Sequence, residues 1–214
     1  MKKLLLTAAV LALTLAAARA DDVALVTLRA GSDKTPLQIA FEFHEAEAPA
    51  TDANFKKLAA KKFYKGLAMH RAFPHLLVQM GDPLTRHKDR SKVGTGGPGY
   101  TIQAEIRRKH TKGAVAAARL PDKINPSRLS NGSQFYVCLA PMPGYDGQYT
   151  VFGQILWGLD TLDALSTKPA DSNDNPTARI VIQSVKILPR EQLPAAPVPV
   201  KPGPAPKKPW WKLF

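Results

Sequence analysis

Apolar side chains occupy every second position from Leu37 to Phe43, at Leu37, Ile39, Phe41 and Phe43. That period places one row of side chains on a single face of a β-strand. Val23 to Leu28 reads as its partner, with Gly31 to Lys34 making the turn between them. The period then lengthens. Pro49, Thr51 and Asp52 open a helix whose apolar Ala53, Leu58 and Ala59 and whose Lys56, Lys57, Lys61 and Lys62 fit an amphipathic segment ending near Phe63. Farther along, Gly113 to Ala118, Gln134 to Leu139, Val151 to Leu156 and Arg179 to Leu188 read as strands. Leu159, Leu162, Ala164 and Leu165 suggest a short second helix, with Asp160 near its start, and Leu120 to Gly132 is a long polar loop. The chain is mostly β, with about eight short strands, two helices, no βαβ alternation and no internal repeat.

Tyr64 to Pro83 holds the densest combination of chemistry and pattern, and reads as two short strands joined at Pro74. Alternation puts Met69, Arg71 and Phe73 on one face and His70 and Ala72 on the other. Leu77 and Gln79 return to the side carrying Arg71. A guanidinium among large apolar groups is costly to desolvate unless something holds it, and a glutamine amide on the neighbouring strand is able to. His70 reads as a core or loop-bonding residue, and the turn at Pro74 separates it from His75 too loosely for a metal pair.

Composition adds a start, an end and a charge. Lys2 and Lys3, the apolar run Leu4 to Ala17 and the small-x-small site Ala18-Arg19-Ala20 form a secretory signal peptide over residues 1–20. The expected location is therefore exported, periplasmic or secreted. The formal charge is +13, of which Lys2, Lys3 and Arg19 supply three, so the mature chain keeps +10. Such a surplus favours anionic partners such as lipid head groups, while export argues against nucleic acid. The lone Cys138 lies within an apolar run, excludes an intramolecular disulfide and reads as a small buried hydrophobe. From 190 to 214 prolines replace apolar periodicity, so a folded domain over 21–189 gives way to an extended or disordered tail ending Trp210-Trp-Lys-Leu-Phe214. That tail offers a membrane-surface or protein contact.

Gly94-Thr-Gly-Gly-Pro-Gly99 matches a dinucleotide fingerprint by letter only. A polar run precedes it and Pro98 interrupts it, so it reads as a turn-rich loop where backbone passes close to something else. With His70-Arg71, Asn131-Gly-Ser-Gln-Phe-Tyr136 and Tyr145-Asp-Gly-Gln-Tyr-Thr-Val-Phe-Gly153, it forms an ordered set of motifs that resembles the cyclophilin-type peptidyl-prolyl isomerases from about Val23 to Leu188. The resemblance, together with the need of short strands for covered edges, implies a closed eight-stranded antiparallel barrel capped by the two helices.

It also implies roles. Arg71 becomes the catalytic arginine and Gln79 the residue that steadies it. Gln134 binds substrate backbone, Tyr136 forms the aromatic wall for the proline ring, and Ala118 and Arg119 lie along the peptide. Leu76 and Leu77 line the proline pocket in place of the usual phenylalanine and methionine, Tyr149 lies beside it, and Gly144 or Tyr145 falls where well-known members carry tryptophan. The implied reaction is rotation about X-Pro bonds in exported polypeptides by a monomer that uses no metal and no cofactor, since no bond to carbon forms or breaks. The alternative is a proline-segment-binding chaperone or adaptor with little turnover.

Overall fold

The protein is described here from a computed structural model, over residues 21–198. The expected signal peptide and the tail from residue 199 onward, with Trp210, Trp211 and Phe214, fall outside the described residues. Strands β1 (Asp22–Ala30) and β2 (Leu37–Phe43) form the predicted first hairpin and precede helix α1 (Pro49–Ala60). Then come β3 (Arg71–Phe73), β4 (Leu77–Met80), β5 (Thr101–Ile102), β6 (Ala114–Ala117), β7 (Ser130–Asn131) and β8 (Phe135–Cys138). The domain finishes with β9 (Val151–Trp157), helix α2 (Leu159–Ser166) and β10 (Ile180–Pro189). Eight strands make one curled antiparallel sheet in the order β10-β1-β2-β9-β6-β8-β4-β3, while β5 and β7 pair separately.

As a ladder the sheet is open, with β10 and β3 as its edges, so the closed barrel expected from the resemblance is corrected. The gap is spanned by Gly66 to Met69, which is not a strand. Gly66 N–H donates to Ile182 O, Ile182 N–H to Leu67 O and Met69 N–H to Ile180 O, each at 2.8 Å, around a single bridge between Ala68 and Val181. Gly66 sits in the left-handed region at φ +84°, which breaks the extended backbone a continuous ladder needs. For the same reason Met69 leaves the face predicted for it. It packs in the main core with Ala72, and regular alternation begins only at Arg71.

The main core lies inside the curl, where Ile39, Phe41, Val115, Phe135, Val137 and Phe152 meet. Phe55 of α1 closes one end, stacked on Tyr64 at 4.8 Å between ring centres and edge-on to Phe41 at 5.3 Å. Ala53 is exposed, and it is Asp52 and Phe55, together with Leu58 and Ala59, that face inward. Glu105 supplies the helix cap, accepting from the Ala50 and Thr51 N–H groups at 3.0 and 2.9 Å. At the opposite end of the chain Arg190 N–H donates to Asp21 O at 3.0 Å, so the domain's two ends lie side by side.

Strands β4, β6 and β8 are buried on both faces. Val78, Val115 and Val137 point into the main core, whereas Leu77, Ala116, Tyr136 and Cys138 join a second apolar cluster on the outside of the sheet. Small side chains at Ala114, Ala116 and Ala118 leave that outer face concave. This concavity is where the predicted site residues collect.

Candidate functional site

A cleft of about 530 Å³ lies over the outer face of β3, β4 and β8. Arg71, Gln79, Leu77, Gln134 and Tyr136 line it, and Ala118, Arg119, Tyr145 and Tyr149 complete the far side. The hairpin places the first two as predicted: Arg71 pairs with Gln79 across β3 and β4, and Phe73 with Leu77. Gln79 in turn lies opposite Tyr136 on β8. Leu76 is the exception. It belongs to the turn between the hairpin strands, donating to Phe73 O at 3.0 Å, and packs in the apolar cluster without lining the cleft. Phe73 lines it instead, with the Arg71 guanidinium 5.8 Å from its ring centre.

Two expected roles change. Gln79 makes no hydrogen bond to Arg71; its Nε2 donates to Gln134 Oε1 at 2.8 Å. Gln134 in turn donates from Nε2 to the carbonyls of Gly96 at 2.7 Å and Gly94 at 3.0 Å. An amide nitrogen carries two hydrogens, so Gln134 has no donor left for substrate backbone. The chain Gln79–Gln134–glycine loop holds the cleft wall, and among the described residues the exposed Arg71 makes no side-chain hydrogen bond. Asp82 fixes the other side of that loop. Fully buried at the end of the hairpin, it accepts from Leu84 N–H at 2.7 Å and from Gly94 N–H at 2.5 Å and Gly96 N–H at 3.2 Å. A Cβ on Gly96 would stand 2.2 Å from Asp82 Oδ1, which is the close approach the glycine run anticipates.

Arg119 is likewise held. Its Nε donates to Gln148 O at 2.9 Å, its guanidinium stacks 4.5 Å from the Tyr149 ring centre, and Asp122 neutralises it. It shapes the cleft as a fixed wall. Tyr136, Tyr145 and Tyr149 form the aromatic end, Tyr145 and Tyr149 with ring centres 4.9 Å apart and Tyr136 edge-on to both.

Beneath these rings lies a polar chain that the sequence reading missed. Tyr136 O–H bonds His110 Nε2 at 2.9 Å, and His110 Nδ1 bonds Asp146 Oδ1 at 3.1 Å. The His110 N–H also donates to that oxygen, at 2.7 Å. Asp146 is held below the usual carboxylate range by these bonds and accepts only, so neutral His110 donates from Nδ1 and accepts at Nε2. Burial pushes the imidazole pKa down, with Asp146 opposing, which keeps that form at neutral pH. Removing the hydroxyl by Tyr136→Phe leaves Nε2 buried and unpaired, so chemical denaturation is expected to show a loss of about 1 to 3 kcal/mol. His110 stands far from Tyr136 in sequence and in no periodic relation to it, so only the fold joins them.

Cys138 is buried and free, with its thiol pushed up to about 12 by burial, as suits a core side chain rather than a nucleophile. His70 is buried too, and burial drives its pKa down to about 4 against the opposing pull of Asp82. Neither ring nitrogen meets hydrogen-bond geometry among the described residues, and the side chain is buried.

The family model described as "Cyclophilin type peptidyl-prolyl cis-trans isomerase/CLD" matches residues 26–187. Among curated proteins, the chain is 39% identical over 126 residues to peptidyl-prolyl cis-trans isomerase B of Bacillus subtilis, covering 58% of this chain and 79% of that one. It is 31% identical over 154 residues to peptidyl-prolyl cis-trans isomerase-like 1 of Aspergillus niger, covering 69% and 86%. Among solved structures, a cyclophilin-type peptidyl-prolyl cis-trans isomerase of Cryptosporidium parvum superposes with TM-score 0.66 at 26% identity, covering 78% of this chain and 97% of its own. The same protein in the presence of the dipeptide Ala-Pro gives TM-score 0.64.

Proposed function

The chain belongs to the cyclophilin-type peptidyl-prolyl cis-trans isomerases, and from that premise we infer that its cleft turns X-Pro bonds with Arg71 as the catalytic residue. The activity itself is peptidyl-prolyl isomerisation, and proline-containing peptides are its substrates. An X-Pro bond rotates slowly because twisting breaks amide resonance, a barrier of about 18 to 20 kcal/mol. In the twisted amide the proline nitrogen regains a lone pair. A guanidinium hydrogen bond to that nitrogen is stronger in the twisted form than in the planar one, and such a difference lowers a barrier.

The observation that carries this reading is the state of Arg71. It stands exposed at the cleft, on a strand anchored through the hairpin, with no hydrogen bond from its guanidinium among the described residues, whereas Arg119 and Gln134 are already committed. The proline ring fits the apolar end formed by Leu77, Phe73 and the three tyrosines. Burying most of such a ring contributes on the order of 1.5 to 3 kcal/mol. Turnover of a short Ala-Pro peptide above the spontaneous rate tests the assignment. Binding of the peptide with the spontaneous rate unchanged would make the cleft a recognition module for proline segments.

We also propose that the protein works on exported polypeptides after loss of residues 1–20. The lysine-led apolar start and the Ala18-Arg19-Ala20 site support this. Expressed in a bacterial host, the mature form is expected in the periplasmic fraction with Asp21 at its N-terminus. Retention of Met1 on cytoplasmic protein would overturn it.

A further inference from the structure

Among the described residues, Asp174 is the one acidic side chain lining the cleft. It lies in the Asp171-Ser-Asn-Asp-Asn175 loop between α2 and β10, and the Ala72 N–H of β3 donates to its carbonyl at 2.9 Å. That bond sets Asp174 beside Arg71. The loop is stapled on itself. Asp171 Oδ1 accepts from the N–H groups of Asn173 and Asn175 at 2.9 and 3.0 Å, and Asp174 N–H donates to Asp171 O at 3.1 Å. Arg90 then ties Asn175 to the body of the domain at 2.8 Å. Asp174 itself is held in the left-handed region at φ +60°.

So much fixing of one loop leaves the Asp174 carboxylate half-buried at the rim, with no hydrogen bond or close ion pair among the described residues, although the Arg71 charge acts on it from nearby. The other charges of the cleft differ. Arg119 is neutralised by Asp122, and among the described residues Arg71 is the other cation lining the cleft. Resting on the isomerase reading, we propose that Asp174 is a specificity-determining residue, selecting X-Pro segments that carry a lysine or arginine beside the isomerised bond. A partly desolvated carboxylate with no hydrogen bond or close ion pair among the described residues gains from a substrate cation and is penalised by a substrate carboxylate, so it discriminates in both directions. Of the near charges, Arg71 opposes this effect and Asp171 reinforces it, while ions at physiological strength screen the basic surface of the rest of the chain beyond about 8 Å.

The test uses peptides alike except for Lys, Ala or Glu at each position flanking the proline bond, assayed at physiological salt with the mature protein and Asp174→Asn. Asparagine tolerates the left-handed backbone, so the loop is preserved. The ratio of kcat/KM for Lys over Glu peptides is expected to be about three- to fivefold at one flanking position in the native protein and near one in D174N, the size expected of a partly exposed ion pair. High salt should shrink it. A ratio near one in the native protein, or one that survives in D174N, overturns the proposal. Failure to turn over the Ala peptide at all would instead remove the isomerase reading on which it rests.

Discussion

Arg71→Ala is expected to lower kcat/KM on an Ala-Pro peptide by about 100-fold or more while peptide affinity changes little, the loss typical when a single donor aimed at the developing charge is removed. The fold should not notice. The guanidinium is exposed, makes no hydrogen bond among the described residues and lies over the Phe73 ring, so circular dichroism and denaturation midpoints should match the parent. Arg71→Lys should recover little, because an ammonium is a compact point charge and lacks the planar fork of a guanidinium. A variant that keeps a tenth or more of the parent rate would show that the cleft accelerates rotation by confining the ring, and that the arginine is dispensable.

Asp52→Asn is expected to stabilise the domain, increasingly so as pH rises. Asp52 is 1% exposed on α1, and neither of its oxygens has a hydrogen-bond partner among the described residues. Burial raises its pKa to about 8, with Lys56 opposing. The folded state thus holds a proton that the unfolded chain releases near pH 4. The stability tied to that proton is complete below the unfolded value and is lost as pH climbs through the folded one, at up to about 1.4 kcal/mol per pH unit. Asparagine has no proton to lose. Urea denaturation between pH 5 and 9 should show the parent's stability falling and the variant's nearly flat on this account, the two separating by about 1 to 4 kcal/mol at the alkaline end. Parallel pH profiles would mean that Lys56 or water compensates the carboxylate.

Much of the fold was legible because local pattern and tertiary demand agree. Period two in Leu37 to Phe43 survives as a strand whose Ile39 and Phe41 are fully buried, and the second helix lies where its apolar spacing put it. Cleft residues taken from the ordered motifs, Arg71, Leu77, Gln79, Gln134, Tyr136, Tyr145 and Tyr149, come together around one concavity. What failed did so for three physical reasons. Alternation was extended back to Met69, although Gly66 breaks the extended backbone just before it. Gln79 bonds Gln134 55 residues away and Gln134 bonds a loop 38 residues away, and residue type does not say which donor that loop will claim. Asp174 and His110 carry no periodic signal, since one is placed by a backbone bond from β3 and the other by a hydroxyl from β8.

The meeting of the domain's ends has a mechanical meaning. Asp22 pairs with Pro189 at the start of the β1–β10 ladder, and the chain enters and leaves at that same corner. Antiparallel bonds run across the strands, so traction between the two ends loads the outermost pair alone and then the next. The domain should open like a zipper at low force, peeling β10 from β1, rather than resist as a sheared sheet would. A segment attached at either end therefore loads the β1–β10 corner first, and freeing β10 entirely would also break its bonds to Gly66–Met69, the segment that leads into the cleft hairpin.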